Sequence, residues 1–279
     1  MSVRLRKMTM SDVPEALRLK DLAGWNQTAA DWERFLSASP GGCFAAEQEG
    51  RLVGTSATII YEGRFAWIGM VIVHPDYRGQ GIGRNLLKRA VQYLDKQCVP
   101  CMKLDATPQG RPLYERFGFV SEYEIERWML KRAGHTRAKV ADGTAQDIED
   151  VIQLDRKIFG ADRGALLRSL ALGEPEFTLV VRQGAEIAGY AFGRHGALAD
   201  HLGPWMARNQ DTAAMLVDEF LRRSGREMVF ADCLHPWAVA LLKAHGFEFS
   251  RPLTRMFRGA NQYPGQPELL AAVLGPEFG

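Results

Sequence analysis

Arg78-Gly79-Gln80-Gly81-Ile82-Gly83-Arg84 is the segment whose residue types and spacing can do chemistry. It follows the apolar run Val71-Ile72-Val73 and the turn His74-Pro75-Asp76-Tyr77, and it precedes an amphipathic stretch. A strand, a glycine-rich loop and a helix start leave backbone N–H groups unpaired at the positive end of a helix, where an anion can sit. Glycines let the backbone approach such a ligand with no Cβ in the way. Arg78, Arg84, Lys88 and Arg89 add positive charge, and no acidic residue lies between Arg78 and Arg89. The expectation is a pyrophosphate cradle; on the loop alone, a glycine-rich surface turn is the alternative.

The type of cradle follows by elimination. A Walker loop requires Gly-x-x-x-x-Gly-Lys-Ser/Thr, and no Lys-Ser/Thr follows these glycines. The dinucleotide fingerprint requires Gly-x-Gly-x-x-Gly, whereas the spacing here is Gly79-x-Gly81-x-Gly83. What remains is Arg-x-x-Gly-x-Gly at Arg78, Gly81 and Gly83. After a strand and before a helix, this pattern resembles the acetyl-CoA loop of the GNAT (Gcn5-related N-acetyltransferase) superfamily. Downstream, Leu113-Tyr114-Glu115-Arg116-Phe117-Gly118-Phe119 resembles the Leu-Tyr-Glu-x-x-Gly-Phe segment of the same family.

The resemblance implies roles for named residues. Arg78, Gly79, Gln80, Gly81, Ile82, Gly83 and Arg84 would hold the pyrophosphate of acetyl-CoA. Met70, Val71, Ile72 and Val73 would hold the pantetheine arm through their backbone, where two parallel strands splay apart. A backbone N–H there would polarise the thioester carbonyl. Tyr114 would act as general acid to the departing thiolate. Arg116 is a candidate for the 3′-phosphate, with a solvated helix charge as the alternative. Trp25, Asn26 and Tyr123 are candidates for the acceptor pocket, with plain packing as the alternative.

The implied reaction is direct attack of a primary amine, that of a small molecule, on acetyl-CoA. A protein-lysine or N-terminal acetyltransferase and a non-catalytic CoA-responsive module are the alternatives. An alkylamine of pKa about 10.4 is less than about 0.1% neutral at pH 7, so a base or desolvation is needed. Ile68, Gly69 and Met70 offer no carboxylate on the strand, and the base is not located. No metal is expected, because the six histidines are scattered without ligand spacing. Cys98-Val99-Pro100-Cys101 follows a helix instead of opening one, so it lacks the field that lowers a thiol pKa.

Positioning these residues takes a folded scaffold, and the chain is long enough for two. It has 279 residues, 46% hydrophobic and 24% charged, with net charge +2. Two domains are the prior for that length, and so balanced a charge points to neither nucleic acid nor membrane as partner. The chain shows no 18-residue apolar stretch and no apolar signal region, so a cytoplasmic protein with reduced cysteines is expected.

The chain repeats itself in order. Asp12–Leu19 resembles Asp147–Leu154, Gly50–Gly54 resembles Gly184–Gly189, Asp105–Phe119 resembles Asp232–Phe247, and Arg127–Leu130 resembles Arg255–Arg258. This predicts an α/β (α+β) fold of two tandem GNAT-like domains, each a twisted mixed sheet flanked by helices. The first spans 1–133, the second 134–258, and a tail runs over 259–279 with a short helix from Pro267. In each copy the order is strand, two helices, a strand hairpin, then helix, strand, helix, strand. A helix between strands at the centre implies a right-handed crossover and a parallel pair. Leu86, Leu87, Ala90, Val91 and Leu94 form the buried stripe of the helix after the glycine loop.

The second copy has lost the chemistry. Arg208-Asn209-Gln210-Asp211-Thr212 has no glycine and carries an acid where an anion would sit, and Leu242 stands in the place of Tyr114. The second half is expected to be a degenerate domain that does not bind CoA in the family's way. Its role would be to wall off the acceptor pocket, with His201, Trp205, His235 and Trp237 as candidates.

Overall fold

The computed structural model describes residues 3–132 and 145–279. The first half runs β1 (Arg4–Lys7), α1 (Val13–Leu22), α2 (Ala29–Ala38), β2 (Phe44–Gln48), β3 (Arg51–Tyr61), β4 (Phe65–Val73), α3 (Ile82–Lys96), β5 (Cys101–Ala106), α4 (Arg111–Glu115) and β6 (Val120–Lys131). The second runs α5 (Ala145–Phe159), α6 (Gly164–Gly173), β7 (Leu179–Gln183), β8 (Glu186–His195), β9 (Asp200–Ala207), α7 (Gln210–Arg223), β10 (Met228–Cys233), α8 (Pro236–Ala244), β11 (Glu248–Gly259) and β12 (Leu270–Ala272). The element order matches the sequence reading. The opening strand expected of the second half falls on 133–144, outside the described residues. Among the described residues, no helix is long and apolar enough to cross a membrane.

The twelve strands of the described residues join one mixed sheet in the order β1-β2-β3-β4-β5-β11-β6-β10-β12-β9-β8-β7. The halves exchange their last long strands. β11 leaves the second half to pair with β5, β6 leaves the first to pair with β10, and the two pair antiparallel at the centre. The exchange puts Arg255 opposite Asp105 and Arg127 opposite Asp232. Both arginines bind their aspartates bidentately, at 2.8 and 2.9 Å and at 2.8 and 2.7 Å. One buried ion pair is thus made twice, each time across the two halves.

Period-two alternation sends successive side chains to opposite faces. On one face Ala66, Ile68, Met102 and Leu104 meet the apolar stripe of α3, where Leu86, Leu87 and Leu94 are fully buried. Burial of one such leucine is worth about 1.5–3 kcal/mol. On the other face Phe65 and Trp67 share a core with α1, α2, α5 and α6, so both halves contribute to it. A separate core packs α7 and α8 on the second half.

The tail departs from the reading. In place of a helix, Pro267–Leu269 makes one 3-10 turn and Leu270–Ala272 becomes β12. The reason is tertiary: β12 lies between β9 and β10, where both neighbours offer backbone partners. From there the chain crosses to the first half, where Trp67 donates to the Pro276 carbonyl at 2.9 Å and Tyr61 to the Phe278 carbonyl at 2.8 Å.

Candidate active site

The glycine loop opens α3 without a side-chain cap. Gly79 and Gly81 both take φ of +77°, the left-handed region that favours glycine. Beyond the adjoining residues, no described heavy atom lies within 4 Å of where a Cβ would stand on either. Gly83 has no positive φ, and a Cβ there would make only ordinary contact with Val73 at 3.5 Å. The first N–H groups of α3 have no acceptor within their own helix. Arg78 folds back so that its Nε donates to the Val73 carbonyl at 3.2 Å, tying the loop to the strand end. Arg84, Lys88 and Arg89 are exposed around it. The matching helix of the second half, α7, is closed: the Asn209 side chain accepts the Thr212 N–H at 2.9 Å, and Asp211 occupies the first turn.

Beside the loop, the sheet has a seam. β4 and β5 pair in parallel only at Ala66–Met102 and Trp67–Lys103. Past that point β4 bulges. Thr55 faces Ile72 and Ala57 faces Gly69, so Met70 and Val71 together oppose Ser56. Met70 sits at φ +55°, and its carbonyl accepts from Thr55 Oγ1 at 2.8 Å. A non-glycine residue there stores strain of order 1–3 kcal/mol, a feature that collects at functional sites. The second half repeats the bulge but fills the seam. Gly203 and Pro204 oppose Phe192, so Gly203 stands where Met70 stands in β4, and Pro204, which has no N–H, stands where Val71 stands. β12 then occupies the gap, pairing with both β9 and β10.

Tyr114 lies on α4, which packs beside the start of α3: a Cβ on Gly83 would lie 4.0 Å from Leu113. The ring is half-buried, edge-on to Phe119 with centroids 6.2 Å apart. Gly110 makes room for it, since a Cβ there would come within 3.1 Å of the ring. Burial pushes the phenol up to about 12, so it holds its proton through the neutral range. Arg116 is exposed at the C-cap of the same short helix.

The face of the seam opposite α3 is roofed by the chain itself. A Cβ on Gly69 would lie 2.6 Å from the Glu277 carbonyl, so residue 277 fills the space above the strand. Asp105, Arg255 and Tyr123 form a chain there, with Arg255 Nη1 donating to Tyr123 Oη at 2.7 Å. Lys103 contacts both Glu122 oxygens at 3.3 Å, and Asn261 donates to Glu122 at 2.8 Å. Phe65, Trp67, Lys103, Tyr123, Phe159 and Arg255 line a cleft of about 10 Å³ free volume, on the order of one water.

Comparison with known proteins places this geometry. Residues 10–119 match the acetyltransferase (GNAT) family and residues 151–271 match an acetyltransferase (GNAT) domain. The chain belongs to the GNAT superfamily. It is a tandem GNAT protein and an acyl-CoA-dependent N-acetyltransferase. It is 29% identical over 262 residues to the holothin acyltransferase of Pseudoalteromonas sp. (strain SANK 73390), covering 91% of this chain and 87% of that one. It is 28% identical over 218 residues to the uncharacterized N-acetyltransferase YitH of Bacillus subtilis, covering 76% of each. In fold it is similar to a Pyrococcus horikoshii protein assigned as an acetyltransferase, with TM-score 0.81, 22% identity and coverage of 99% and 96%.

Within this GNAT frame the structure brings together the loop residues 78–84, the bulged strand end at 70–73 and Tyr114 at one end of the first half. Of the three acceptor candidates, only Tyr123 lines the roofed cleft. Asn26 is buried and spends its side chain on the second half, accepting from the N–H groups of Leu198 and Ala199 at 2.9 Å each and donating to the Ala199 carbonyl at 3.0 Å. It is an inter-half latch. Trp25 packs against the shared core. The expected wall residues Trp205 and Trp237 pack in the separate second-half core, and His235 stacks on Trp237. The face of the seam opposite α3 is covered instead by α5, α6 and the tail, whose apolar residues carry no distinguishing motif. Sequence reading passed over Lys103 and Arg255; the repeated Asp105/Asp232 and Arg127/Arg255 pairs were the available signal. All four cysteines are free, and burial pushes Cys101 up to about 11, away from reactive thiolate.

Proposed function

We propose that the protein moves an acetyl group from acetyl-CoA to the primary amine of a small molecule, using the first half alone for the donor. The observation that carries this reading is an uncapped glycine loop beside an unfilled seam, a combination the first half has and the second lacks. Residues 78–84 hold the pyrophosphate through free N–H groups and flanking arginines. The backbone of Met70–Val73 holds the pantetheine arm along the seam, and an N–H of the bulge polarises the thioester carbonyl. Tyr114, still protonated, supplies hydrogen-bonding or a proton to the leaving sulfur. Full transfer to a thiolate of pKa about 8.5 becomes favourable as the cleft desolvates that thiolate too. Arg116, exposed at this end, takes the 3′-phosphate in this reading.

A small acceptor fits the opposite face. Segment 275–279 and the shared core cover it. The name of the Pseudoalteromonas relative, a holothin acyltransferase, supports a small acceptor as well.

The test is calorimetric titration with acetyl-CoA, then thiol release measured with a panel of small amines against lysine and N-terminal peptides. One acetyl-CoA bound per chain and turnover restricted to small amines is expected. Turnover of peptides alone would overturn the acceptor assignment, and absence of acetyl-CoA binding would overturn the whole reading.

A further inference from the structure

Attack by an amine requires a proton acceptor, and β4 provides none: its residues on the roofed side, Phe65, Trp67, Gly69 and, at and past the bulge, Met70 and Ile72, carry no titratable group. The neighbouring strand does. Trp67 pairs with Lys103 in the last β4–β5 contact. The next β5 side chain on that face is Asp105. It therefore flanks the open seam level with Gly69, opposite α3.

We propose that Asp105 is the general base of the acetyl transfer and that Arg255, delivered by the exchanged strand β11, holds it in place. This rests on the donor reading above. Both Asp105 oxygens accept from Arg255, at 2.8 and 2.9 Å, and Arg255 continues to Tyr123. The other acids near the seam are engaged elsewhere. Glu122 is one step back, on Lys103 and Asn261. Glu277 covers Gly69 with its backbone, but its carboxylate turns to Arg194 on β8.

The duplicated pair separates a base from a staple. Asp232–Arg127 has the same bidentate geometry, but the seam beside it is filled. Val273 donates to the Asp232 carbonyl at 3.0 Å, and Ala272 pairs with Cys233. His201 Nε2 also lies 3.1 Å from Asp232 Oδ2. The charges differ accordingly. Burial pushes the Asp105 carboxyl up against the pull of Arg255, with Asp232 and Glu122 adding repulsion. Burial also acts on Asp232, but Arg127 and His201 outweigh it and hold that carboxyl well below the usual range. Lys103 and Tyr123 are the remaining titratable groups facing Asp105, and burial lowers Lys103 and raises Tyr123 to about 12. A carboxylate of raised basicity at the open seam suits proton abstraction.

The step balances. An arriving ammonium loses one proton to Asp105, which passes it to solvent. The neutral nitrogen then attacks the thioester carbon, and the C–N bond forms as the C–S bond breaks. Sulfur keeps that electron pair and takes a proton from Tyr114. The second nitrogen proton goes to Asp105 and returns through solvent to Tyr114.

Asp105→Asn tests the assignment, with Asp232→Asn as the matched structural control. Asp105→Asn is expected to lower kcat/KM for the amine about 10²–10⁴-fold, abolish the acid limb of the pH–rate profile and leave calorimetric acetyl-CoA binding intact. Asp232→Asn destabilises the chain without moving that limb. An Asp105→Asn enzyme with an unmoved acid limb and the same fold-loss as Asp232→Asn would reduce the residue to a staple. If Asp105→Asn fails to fold, Asp105→Glu decides. It keeps the charge on Arg255, so a lowered kcat with a shifted acid limb supports the base, and wild-type kcat with a wild-type limb overturns it. A wild type that does not bind acetyl-CoA would defeat the donor reading, a result the calorimetry separates from failure of the base.

Discussion

The two halves of this protein solve the same packing problem and, besides Leu242 in the place of Tyr114, differ in two small places. Each lays a helix on its sheet, bulges the strand before that helix and closes on the other half's last strand through a buried Asp–Arg pair. They part at the helix start, where Gly81 leaves α3 uncapped while Asn209 caps α7. They part again at the seam, empty beside β4 and filled by β12 beside β9. Folding is spread over many apolar contacts and tolerates such changes. Ligand binding depends on a few unpaired backbone groups, so it is lost when a cap and a short strand take those groups up.

Breaking the shared staple should have the largest effect. Asp232→Asn leaves Arg127 buried with a weakened partner, and loss of one member of a buried pair costs about 3–5 kcal/mol. The urea midpoint should fall accordingly. The pH dependence has a definite sign. Asp232 is held low in the folded chain, so its stabilisation is complete above the unfolded value of about 3.9 and fades as pH falls below that. The variant should lose part of the wild type's acid-side slope. A midpoint shift under about 0.5 kcal/mol, within ordinary surface effects, would mean that the exchanged strands are held by packing alone.

Gly81→Trp attacks the first difference. The position needs a left-handed backbone, and a Trp ring would fill the cradle. Calorimetry should show acetyl-CoA affinity at least about 100-fold weaker, roughly 2.7 kcal/mol, with the fold retained by circular dichroism. Unchanged affinity would mean the loop is a surface turn.

Tyr114→Phe removes only a hydroxyl and keeps the ring against Phe119. A kcat lower by about 10–100-fold with unchanged acetyl-CoA binding is expected, at the low end of acid–base contributions. Equal kcat would assign the leaving-group proton to solvent. The second half carries fully buried Leu242 at this point, so its helix contributes core and no acid.

How far this comparison could be read in advance depends on where each signal resides. The glycine loop, the helix stripe and Tyr114 were legible because they are local patterns of residue type and spacing. The repeat was legible too, and it carried Asp105, Asp232, Arg127 and Arg255 at matching places. That the pairs form across the halves was not, because strand exchange leaves each strand's own alternation unchanged. Nor was β12: Pro267–Leu274 has the composition of a helix start, and only the vacant edges of β9 and β10 make Leu270–Ala272 a strand. Asn26 showed the same limit, since nothing around it in sequence announces partners at Leu198 and Ala199.

Asn209→Ala gives the smallest effect and discriminates most sharply between the two differences. The substitution removes the side chain that accepts the Thr212 N–H and should cost about 1 kcal/mol, as loss of an N-cap does. It exposes the start of α7 as Gly81 exposes that of α3. The seam beside it remains occupied by β12, and Pro204 still offers no N–H at the bulge. The variant should therefore still bind one acetyl-CoA per chain by calorimetry. A second site would show that the cap alone kept the ligand off this half and that β12 yields to it. A single site would place the loss of function in the strand, where the chain has substituted its own backbone for a ligand.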